Sequence, residues 1–219
     1  MLFLSPLEGF LSAGNTKMPR YIKDIEQQSD EWFDLRIGSV GGSSINSVLA
    51  RGEGKSRKTL LYKLAGEILA GRKLSGYRSA AMQRGNELEA DARRCYEFLT
   101  GNTVEQIALI QADTPLVHHS PDGLIGEDGG LELKLMEPHI YIELIDTKKI
   151  SLAYMRQVNH FFWVSGRDYM DFAAYCPEIE SRPMWIQRQT PDAKIQEQIN
   201  TELPVFLAEL EAMVKKVSA

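Results

Sequence analysis

Apolar residues recur at helical spacing over much of the first hundred residues. Between residues 58 and 70, leucines and isoleucines lie three and four positions apart, and Gly71 follows as a stop signal. A longer helix is predicted over residues 80–100, where Gly101 ends it and Gly85 weakens its beginning. Two short helices precede these, one capped by Ser29 or Asp30 and the other by Ser43 or Ser44.

The pattern changes to strands after residue 103. The glycine-rich segment 126–130 lies between two short apolar runs and predicts a β-hairpin. Strands are predicted at residues 104–110, 116–118, 123–125, 131–135, 169–175 and 184–189, and helices at residues 151–164 and 191–217. We therefore expect one α+β domain over residues 21–219, with a central mixed β-sheet flanked by helices. Residues 1–20 are expected to form a loosely ordered leader.

Composition is that of an ordinary globular domain, with 43% hydrophobic and 25% charged residues. No apolar run reaches the roughly 20 residues that cross a bilayer, so the sequence predicts no membrane span. Cys95 and Cys176 provide neither a disulfide framework nor zinc-ligand spacing, which fits a reducing cytoplasm.

Charge is distributed unevenly along the chain. The net charge is −5, yet residues 51–94 carry 11 Lys and Arg against 5 Asp and Glu, a local charge of +6 that leaves −11 for the remainder. An acidic protein with one basic region fits a nucleic-acid enzyme whose carboxylates hold metal beside a basic track. A solvated helical face gives the same pattern, so charge alone leaves both interpretations open.

The residues with the clearest chemistry flank the predicted hairpin. Strand side chains alternate, so Glu132 and Lys134 project from one face while Leu131 and Leu133 cover the other. Asp122 begins the preceding strand, and pairing of the two strands would bring its carboxylate close to that of Glu132. Two neighbouring carboxylates raise each other's pKa unless a cation lies between them. A divalent cation with oxygen ligands, Mg²⁺ or Mn²⁺, fits this position.

This trio predicts metal-assisted hydrolysis of a phosphodiester. A metal held by Asp122 and Glu132 would polarise a phosphoryl oxygen and lower the pKa of bound water. Lys134 would position that water or stabilise the developing negative charge. A half-exposed hairpin whose Glu and Lys merely alternate with leucines is the alternative at this point.

Histidines and glycine-rich loops do not indicate other chemistry. The four histidines lack zinc-ligand spacing and no P-loop motif is present, so neither zinc nor ATP is predicted. His118 and His119 precede Ser120. Because adjacent strand residues point to opposite faces, at most one of the two would reach a phosphate there.

Five sequence blocks between residues 31 and 176 add to this interpretation. They are residues 32–38 with Ser43, then 84–93, 120–124, 130–134 and 153–158. Pro121-Asp122, nine further residues and Glu132-Leu133-Lys134 resemble the PD-(D/E)XK nuclease signature. Taken in order, the five blocks resemble the phage lambda exonuclease and YqaJ-like viral recombination nuclease family. The chain departs from the family after Lys134, where Leu135-Met136 stands in place of Cys-Pro.

The resemblance implies a restriction-endonuclease-like core with a metal-dependent active site. Asp122 and Glu132 would hold Mg²⁺, for which Mn²⁺ can substitute, and the backbone carbonyl of Leu133 would be an additional ligand. Glu89 would support a second ion, giving two ions in the site.

The same resemblance implies roles for residues around the metal. Lys134 and Gln157 would position the nucleophilic water, and Tyr154, on the same helix face as Gln157, would orient water or substrate. Met82 falls where the family has an apolar wedge that splits the duplex, but this assignment rests on position alone, and a core or surface methionine is the favoured interpretation.

Arg36, Ser43 and Ser120 correspond to a pocket for the terminal 5′-phosphate. A guanidinium fork with hydroxyl groups and a helix N-terminus forms an anion site, which agrees with that role. Such a pocket would make cleavage depend on a phosphorylated 5′ end. Ser43 as a simple helix cap is the alternative.

The activity implied is that of a 5′→3′ exonuclease on linear double-stranded DNA, which releases mononucleotides and leaves 3′ single-stranded overhangs. The family further implies a ring-shaped homotrimer and a single-strand annealing recombinase as partner. It also implies that the gene belongs to a phage or prophage and that the protein acts in the bacterial cytoplasm. An endonuclease or nickase of the same fold is the first alternative. A catalytically silent DNA-binding module is the second, and intact Asp122, Glu132 and Lys134 argue against it.

Overall fold

The computed structural model describes residues 18–50, 55–73, 80–114 and 116–218, without the side chains of residues 80–87. The helices are α1 (Asp30–Asp34), α2 (Ile45–Val48), α3 (Lys55–Ala70), α4 (Ala80–Thr100), α5 (Pro138–Thr147), α6 (Leu152–Ser165) and α7 (Ala193–Ser218), and a 3₁₀ turn, Gly42–Ser44, precedes α2. The strands are β1 (Arg20–Ile22), β2 (Val104–Glu105), β3 (Leu109–Gln111), β4 (His118–His119), β5 (Gly123–Ile125), β6 (Gly129–Leu135), β7 (Tyr169–Tyr175) and β8 (Met184–Gln189). Most of the predicted leader, residues 1–17, and the side chain of Met82 lie outside the described residues.

These strands form two sheets. A five-stranded sheet has the order β2-β5-β6-β7-β8, and a three-stranded sheet has the order β1-β3-β4. β6 and β7 run parallel, whereas the other neighbouring pairs are antiparallel. The predicted α+β class, with a central mixed sheet flanked by helices, is confirmed.

Both faces of the five-stranded sheet are covered. On one face, Leu131 and Leu133 of β6 pack with Tyr96 of α4 in a small apolar cluster. On the other face, a larger core joins the sheet to α3, α6 and α7 and contains Phe161 and Phe206, both fully buried. β6 is therefore sandwiched between α4 and α6, and its polar side chains are withdrawn from bulk water.

Gly130 lets α6 approach β6 closely. A Cβ atom at this position would lie 2.5 Å from Cζ of Phe161, a distance that no side chain can occupy. Gln157 lies four residues before Phe161 and therefore on the same face of α6. The glycine thus brings a polar residue of α6 within reach of the middle of β6.

Three features of the fold differ from the sequence prediction. The single strand predicted at residues 104–110 is two strands in different sheets, because β2 pairs with β5 while β3 pairs with β1 and β4. β1 was not predicted, because three residues carry too short a pattern. α5 was not predicted either, although Pro138 at its first turn is a start signal and Tyr141 and Leu144 lie on its buried face.

None of the described helices is long and apolar enough to cross a membrane.

Candidate active site

The β5–β6 hairpin forms as predicted and brings Asp122 against β6. Gly123 pairs with Leu131, and the Asp122 backbone N–H donates to the Leu131 carbonyl at 3.1 Å. The Asp122 carboxylate in turn accepts a hydrogen bond from the backbone N–H of Leu133 at 2.6 Å. These two bonds fix the carboxylate beside the strand that carries Glu132.

Glu132 is the centre of a buried polar cluster and is only 2% exposed. Its Oε1 accepts hydrogen bonds from Lys134 Nζ and from Gln157 Nε2, each at 2.5 Å. Lys134 Nζ lies 5.2 Å from the centre of the Tyr154 ring. The other carboxylate oxygen, Oε2, is buried and has no hydrogen-bond partner among the described residues. The predicted residues of β6 and α6 are therefore in one cluster, with one oxygen atom unused.

Carboxylates outnumber the lysine amine in this cluster, and this affects the pKa values of its members. Burial raises the pKa of Asp122 well above its usual value, and the nearby Glu132 and Glu89 carboxylates raise it further. Burial lowers the pKa of Lys134, but Glu132 and Asp122 more than offset this, so its pKa is raised and the amine stays protonated.

Glu89 lies on α4 and is bonded to a neighbouring arginine. Arg93 Nη2 donates to Glu89 Oε1 at 2.8 Å, and Arg93 Nε donates to the Asp122 carbonyl at 3.3 Å. Burial is the main cause of the raised pKa of Glu89, which Arg93 opposes and Glu132 reinforces. Across the described ranges, no three His, Cys, Asp or Glu side chains form a ready group of metal ligands. Asp122 and Glu132 are thus a pair of carboxylates, with Glu89 acting on them through its charge.

The donor set of this pair fits a hard divalent cation. Carboxylate and carbonyl oxygens are the ligands that Mg²⁺ takes in proteins. An unpaired buried carboxylate oxygen is costly unless a cation or a donor satisfies it, and Glu132 Oε2 is such an atom. Burial is the main cause of the raised pKa of Asp122, and a cation between the carboxylates would offset the further contribution from Glu132 and Glu89.

Arg36 lies in a second part of the site, after α1. Its guanidinium carbon is 3.7 Å above the Trp32 ring, and its Nε donates to His118 Nε2 at 2.9 Å. Burial lowers the pKa of Arg36 to about 10, although the charge of Glu67 opposes the shift. At neutral pH the side chain is therefore a partly buried cation held on an aromatic face.

Ser43 and Ser120 belong to segments that contact each other. Ser43 is exposed, whereas Ser120 Oγ is buried without a hydrogen-bond partner among the described residues. Gly42 packs so closely on the neighbouring segment that a Cβ would lie 2.6 Å from His119 Cε1 and 3.3 Å from Gln157 Cγ. Gln157 therefore touches both the turn that carries Ser43 and the carboxylate of Glu132.

Ser44, one of the two predicted caps, is the N-cap residue of α2, but its hydroxyl makes no side-chain cap hydrogen bond to that helix. Ser44 Oγ instead bonds to the backbone of Gly41, accepting from its N–H at 3.0 Å and donating to its carbonyl at 2.9 Å. Ser44 thus occupies the cap position, while its hydroxyl closes the turn that precedes the helix.

Several partners of the site residues were not predicted from sequence, and His118 was considered only as a possible phosphate contact. His118 and Trp32 hold Arg36, and Arg93 holds Glu89. Buried histidine and tryptophan are ordinary core residues, so only Arg93, four residues after Glu89 on a predicted helix, carried a usable signal. A cavity of about 540 Å³ opens between α4 and residues 23–28, beside Glu89 and Arg93, and provides space for a ligand.

The chain is similar to a known recombinase family and to solved exonuclease structures. Residues 31–168 match the family model of the YqaJ-like viral recombinase domain. The chain resembles the alkaline exonuclease LHK-Exo from Laribacter hongkongensis, at 33% identity over 87% of this chain and 96% of that one, with a TM-score of 0.79. The complex of LHK-Exo with dAMP gives 34% identity over 86% and 96%, also at 0.79. A phage-related exonuclease from Haemophilus somnus 129PT shares the fold at 12% identity, over 82% and 96%, with a TM-score of 0.61. Curated proteins give no match.

Proposed function

The chain belongs to the YqaJ-like viral recombinase domain family, and from this premise we propose that it is a Mg²⁺-dependent 5′→3′ exonuclease of linear double-stranded DNA. Its similarity to an alkaline exonuclease over most of both chains identifies it as a phage-type nuclease. The observation that carries the finer proposal is the buried cluster of Asp122, Glu132, Lys134 and Gln157, which joins through Gly42 to the segment of Ser43.

Asp122 and Glu132 are the proposed ligands of Mg²⁺, with the Leu133 carbonyl as a further oxygen ligand and Mn²⁺ as a substitute. When bound, the ion supplies positive charge that polarises a phosphate group and lowers the pKa of water. We assign Glu89 to a second ion, because its charge acts on both Asp122 and Glu132.

We propose that Lys134 and Gln157 position the nucleophilic water, Lys134 as a charged donor and Gln157 through its side-chain oxygen as an acceptor. The raised pKa of Lys134 keeps its amine charged, so it stabilises developing negative charge rather than accepting a proton. Gln157 Nε2 donates to Glu132 Oε1, so Glu132 Oε2 is left for other partners. The side-chain oxygen of Gln157 is left to accept a hydrogen bond from a water molecule. The Tyr154 ring beside Lys134 limits where the amine can move.

Arg36, Ser43 and Ser120 are the proposed ligands of the terminal 5′-phosphate. The Arg36 guanidinium supplies charge, and the Ser120 hydroxyl, which has no partner among the described residues, supplies a donor. Because Gln157 contacts both this segment and Glu132, a 5′-phosphate bound here would fix the distance to the bond that is cut.

The proposed products are 5′-mononucleotides and a duplex with a 3′ single-stranded overhang. The complex of LHK-Exo with dAMP, a mononucleotide, supports this product class. We further propose that the protein forms a homotrimeric ring around the DNA and that a single-strand annealing recombinase binds the overhang. We also propose that a phage or prophage encodes the protein and that it acts in the bacterial cytoplasm.

Digestion of linear duplex DNA in Mg²⁺ tests the activity. One strand carries a 5′-phosphate and a label at a known end, and closed circular DNA and the Asp122→Ala protein are controls. We expect loss of the phosphorylated strand to mononucleotides, intact circles, and no cleavage by the variant.

Two other results would replace the proposal. Cleavage of closed circles would identify an endonuclease or nickase of the same fold. DNA binding without cleavage in either Mg²⁺ or Mn²⁺ would identify a DNA-binding module.

A further inference from the structure

His118 lies on β4, is 2% exposed and uses both ring nitrogens. Nε2 is 2.9 Å from Arg36 Nε, and Nδ1 is 2.7 Å from Ser39 Oγ. Ser39 Oγ also donates to the Arg36 carbonyl at 3.0 Å. The histidine therefore connects the backbone and the side chain of a single arginine.

The donor in each of these bonds follows from the chemistry of arginine. A guanidinium Nε can only donate, so His118 Nε2 must accept and carries no proton. The ring proton then resides on Nδ1 and is donated to Ser39 Oγ, whose own proton goes to the Arg36 carbonyl. The donor and the acceptor of each of these three hydrogen bonds are therefore determined, and they require the neutral Nδ1–H tautomer of His118.

The loop leaves the outer edge of the guanidinium available. Arg36 lies with its face on Trp32 and its Nε on His118, and Nη1 and Nη2 have no hydrogen-bond partner within the described part of the chain. Burial of His118 lowers its pKa well below its usual value, and the charge of Arg36 adds to that shift. The ring is thus a neutral acceptor at neutral pH, where Arg36 is charged.

We infer that His118 is a positioning residue, which accepts from Arg36 Nε and so directs the Nη1 and Nη2 donors toward the terminal 5′-phosphate. The inference rests on the proposed role of Arg36 in binding that phosphate. His118 touches no reacting group, and it acts only through the orientation of Arg36.

Gly41 provides the space that this arrangement needs. A Cβ at Gly41 would lie 2.7 Å from His118 Nε2 and 3.0 Å from Cε1, at the same nitrogen that accepts from Arg36. Any larger residue would displace the ring or obstruct its acceptor atom. Gly41→Ala is therefore a second variant that disturbs this hydrogen bond without altering either partner.

Two substitutions of His118 separate its two hydrogen bonds. His118→Gln places a carbonyl oxygen near the position of Nε2 and keeps an acceptor for Arg36, whereas His118→Asn keeps a donor near Nδ1 for Ser39 but loses that acceptor. His160→Asn is the matched control, because His160 is equally buried and bonds to His119 instead. The measurement is the single-turnover rate of the first cleavage on duplexes with a 5′-phosphate or a 5′-hydroxyl end. Only the first cleavage is informative, since each later one starts from a new 5′-phosphate.

We expect His118→Asn and Gly41→Ala to lower the preference for phosphorylated ends about tenfold, the usual effect of losing one hydrogen bond to a charged group, with little change on hydroxyl ends. His118→Gln should restore most of the preference. An equal fall in the cleavage rate on both kinds of end would show that His118 has only a packing role. That result would overturn this inference but leave the proposed phosphate site intact. A wild-type enzyme without preference for phosphorylated ends would overturn the proposed phosphate site together with it.

Nitrogen NMR of the wild-type protein tests the geometry without any nuclease assay. We expect the His118 resonances of an Nδ1–H tautomer and a coupling across the hydrogen bond between Arg36 Nε and His118 Nε2. A proton on Nε2 would overturn the inference even if a variant fails to fold.

Discussion

At the scale of single residues, the site is defined by which atoms remain unpaired. Glu132 accepts both its hydrogen bonds through Oε1 and leaves Oε2 without a partner among the described residues. Ser120 Oγ is likewise buried without a hydrogen-bond partner among the described residues. Other buried polar atoms of the described residues also lack partners, but these two belong to the candidate site residues, so we expect external groups to bind there.

Lys134→Gln should lower the single-turnover cleavage rate at least roughly a hundredfold, with little effect on binding of DNA ends. The reason is that the Lys134 charge acts on negative charge that develops only during reaction. Lys215→Gln is the control, because Lys215 pairs with Glu211 on the exposed side of α7. An equal loss in end binding and rate would instead show that Lys134 maintains the structure of the cluster.

Arg36→Lys should reduce the preference for 5′-phosphorylated ends by roughly tenfold or more. Lysine keeps the charge but loses the fork of donors and the flat contact with Trp32. Arg188→Lys is a matched control, since its guanidinium carbon also lies 3.7 Å above an aromatic ring, that of Tyr169, and it bonds to Asp171. The first-cleavage rates on phosphorylated and hydroxyl ends measure the effect. Unchanged preference in Arg36→Lys would contradict the phosphate role.

At the scale of elements, the site depends on how closely α6 and the Gly42–Ser44 turn can approach β6. Gly130 admits Phe161, and Gly42 admits His119 and Gln157. The two glycines are far apart in sequence, yet both determine where the Gln157 amide meets Glu132.

Gly42→Ala should lower both stability and nuclease activity. The added methyl would overlap His119 and crowd Gln157, and overpacking of this kind typically costs about 1–3 kcal/mol. Gly126→Ala is the control, because a Cβ there meets no atom within 4 Å and only the positive φ of 54° is disfavoured. Urea denaturation and a single-turnover assay give the two readouts. Full activity in Gly42→Ala would show that the Gln157 position is not critical.

At the scale of the whole molecule, three buried histidines link stability to pH. Burial lowers the pKa values of His118 and His119 well below normal, and it lowers that of His160 to about 3. The folded protein therefore keeps these rings neutral in acid, whereas the unfolded chain protonates them below a pH of about 6.5. The unfolded state binds more protons in this range, so the free energy of unfolding falls as the pH falls.

His160→Asn isolates one of these contributions. Between pH 7.5 and about 6.5 the wild-type and variant curves should run parallel. Below that range the wild type should lose up to about 1.4 kcal/mol per pH unit more than the variant. Comparing the two proteins cancels the opposite trend from Asp122, whose raised pKa favours the folded state in acid. Urea denaturation without divalent cations makes the measurement, and parallel curves down to pH 5 would contradict it.

Assembly also belongs to this scale. The proposed ring predicts a sedimentation mass three times that of the chain. A monomeric mass for the active nuclease would contradict the ring.

Much of the site was predictable because its residues are close in sequence or lie on regular elements. Asp122, Glu132 and Lys134 flank one hairpin, where alternation and turn residues determine register. Gln157 and Tyr154 came only from the resemblance, since their spacing on a helix is equally typical of packing. Met82 remains a prediction, because its side chain lies outside the described residues.

The sequence by itself determined the helices other than α5, the hairpin, the α+β class and the carboxylates of Asp122 and Glu132 that flank the hairpin, because these follow from periodicity and neighbouring residues. Only the tertiary structure decided that Gln157 meets Glu132, that His118 holds Arg36, and that residues 104–110 divide between two sheets. Those contacts join segments tens of residues apart, and they depend on close packing at glycines whose roles no local pattern reveals.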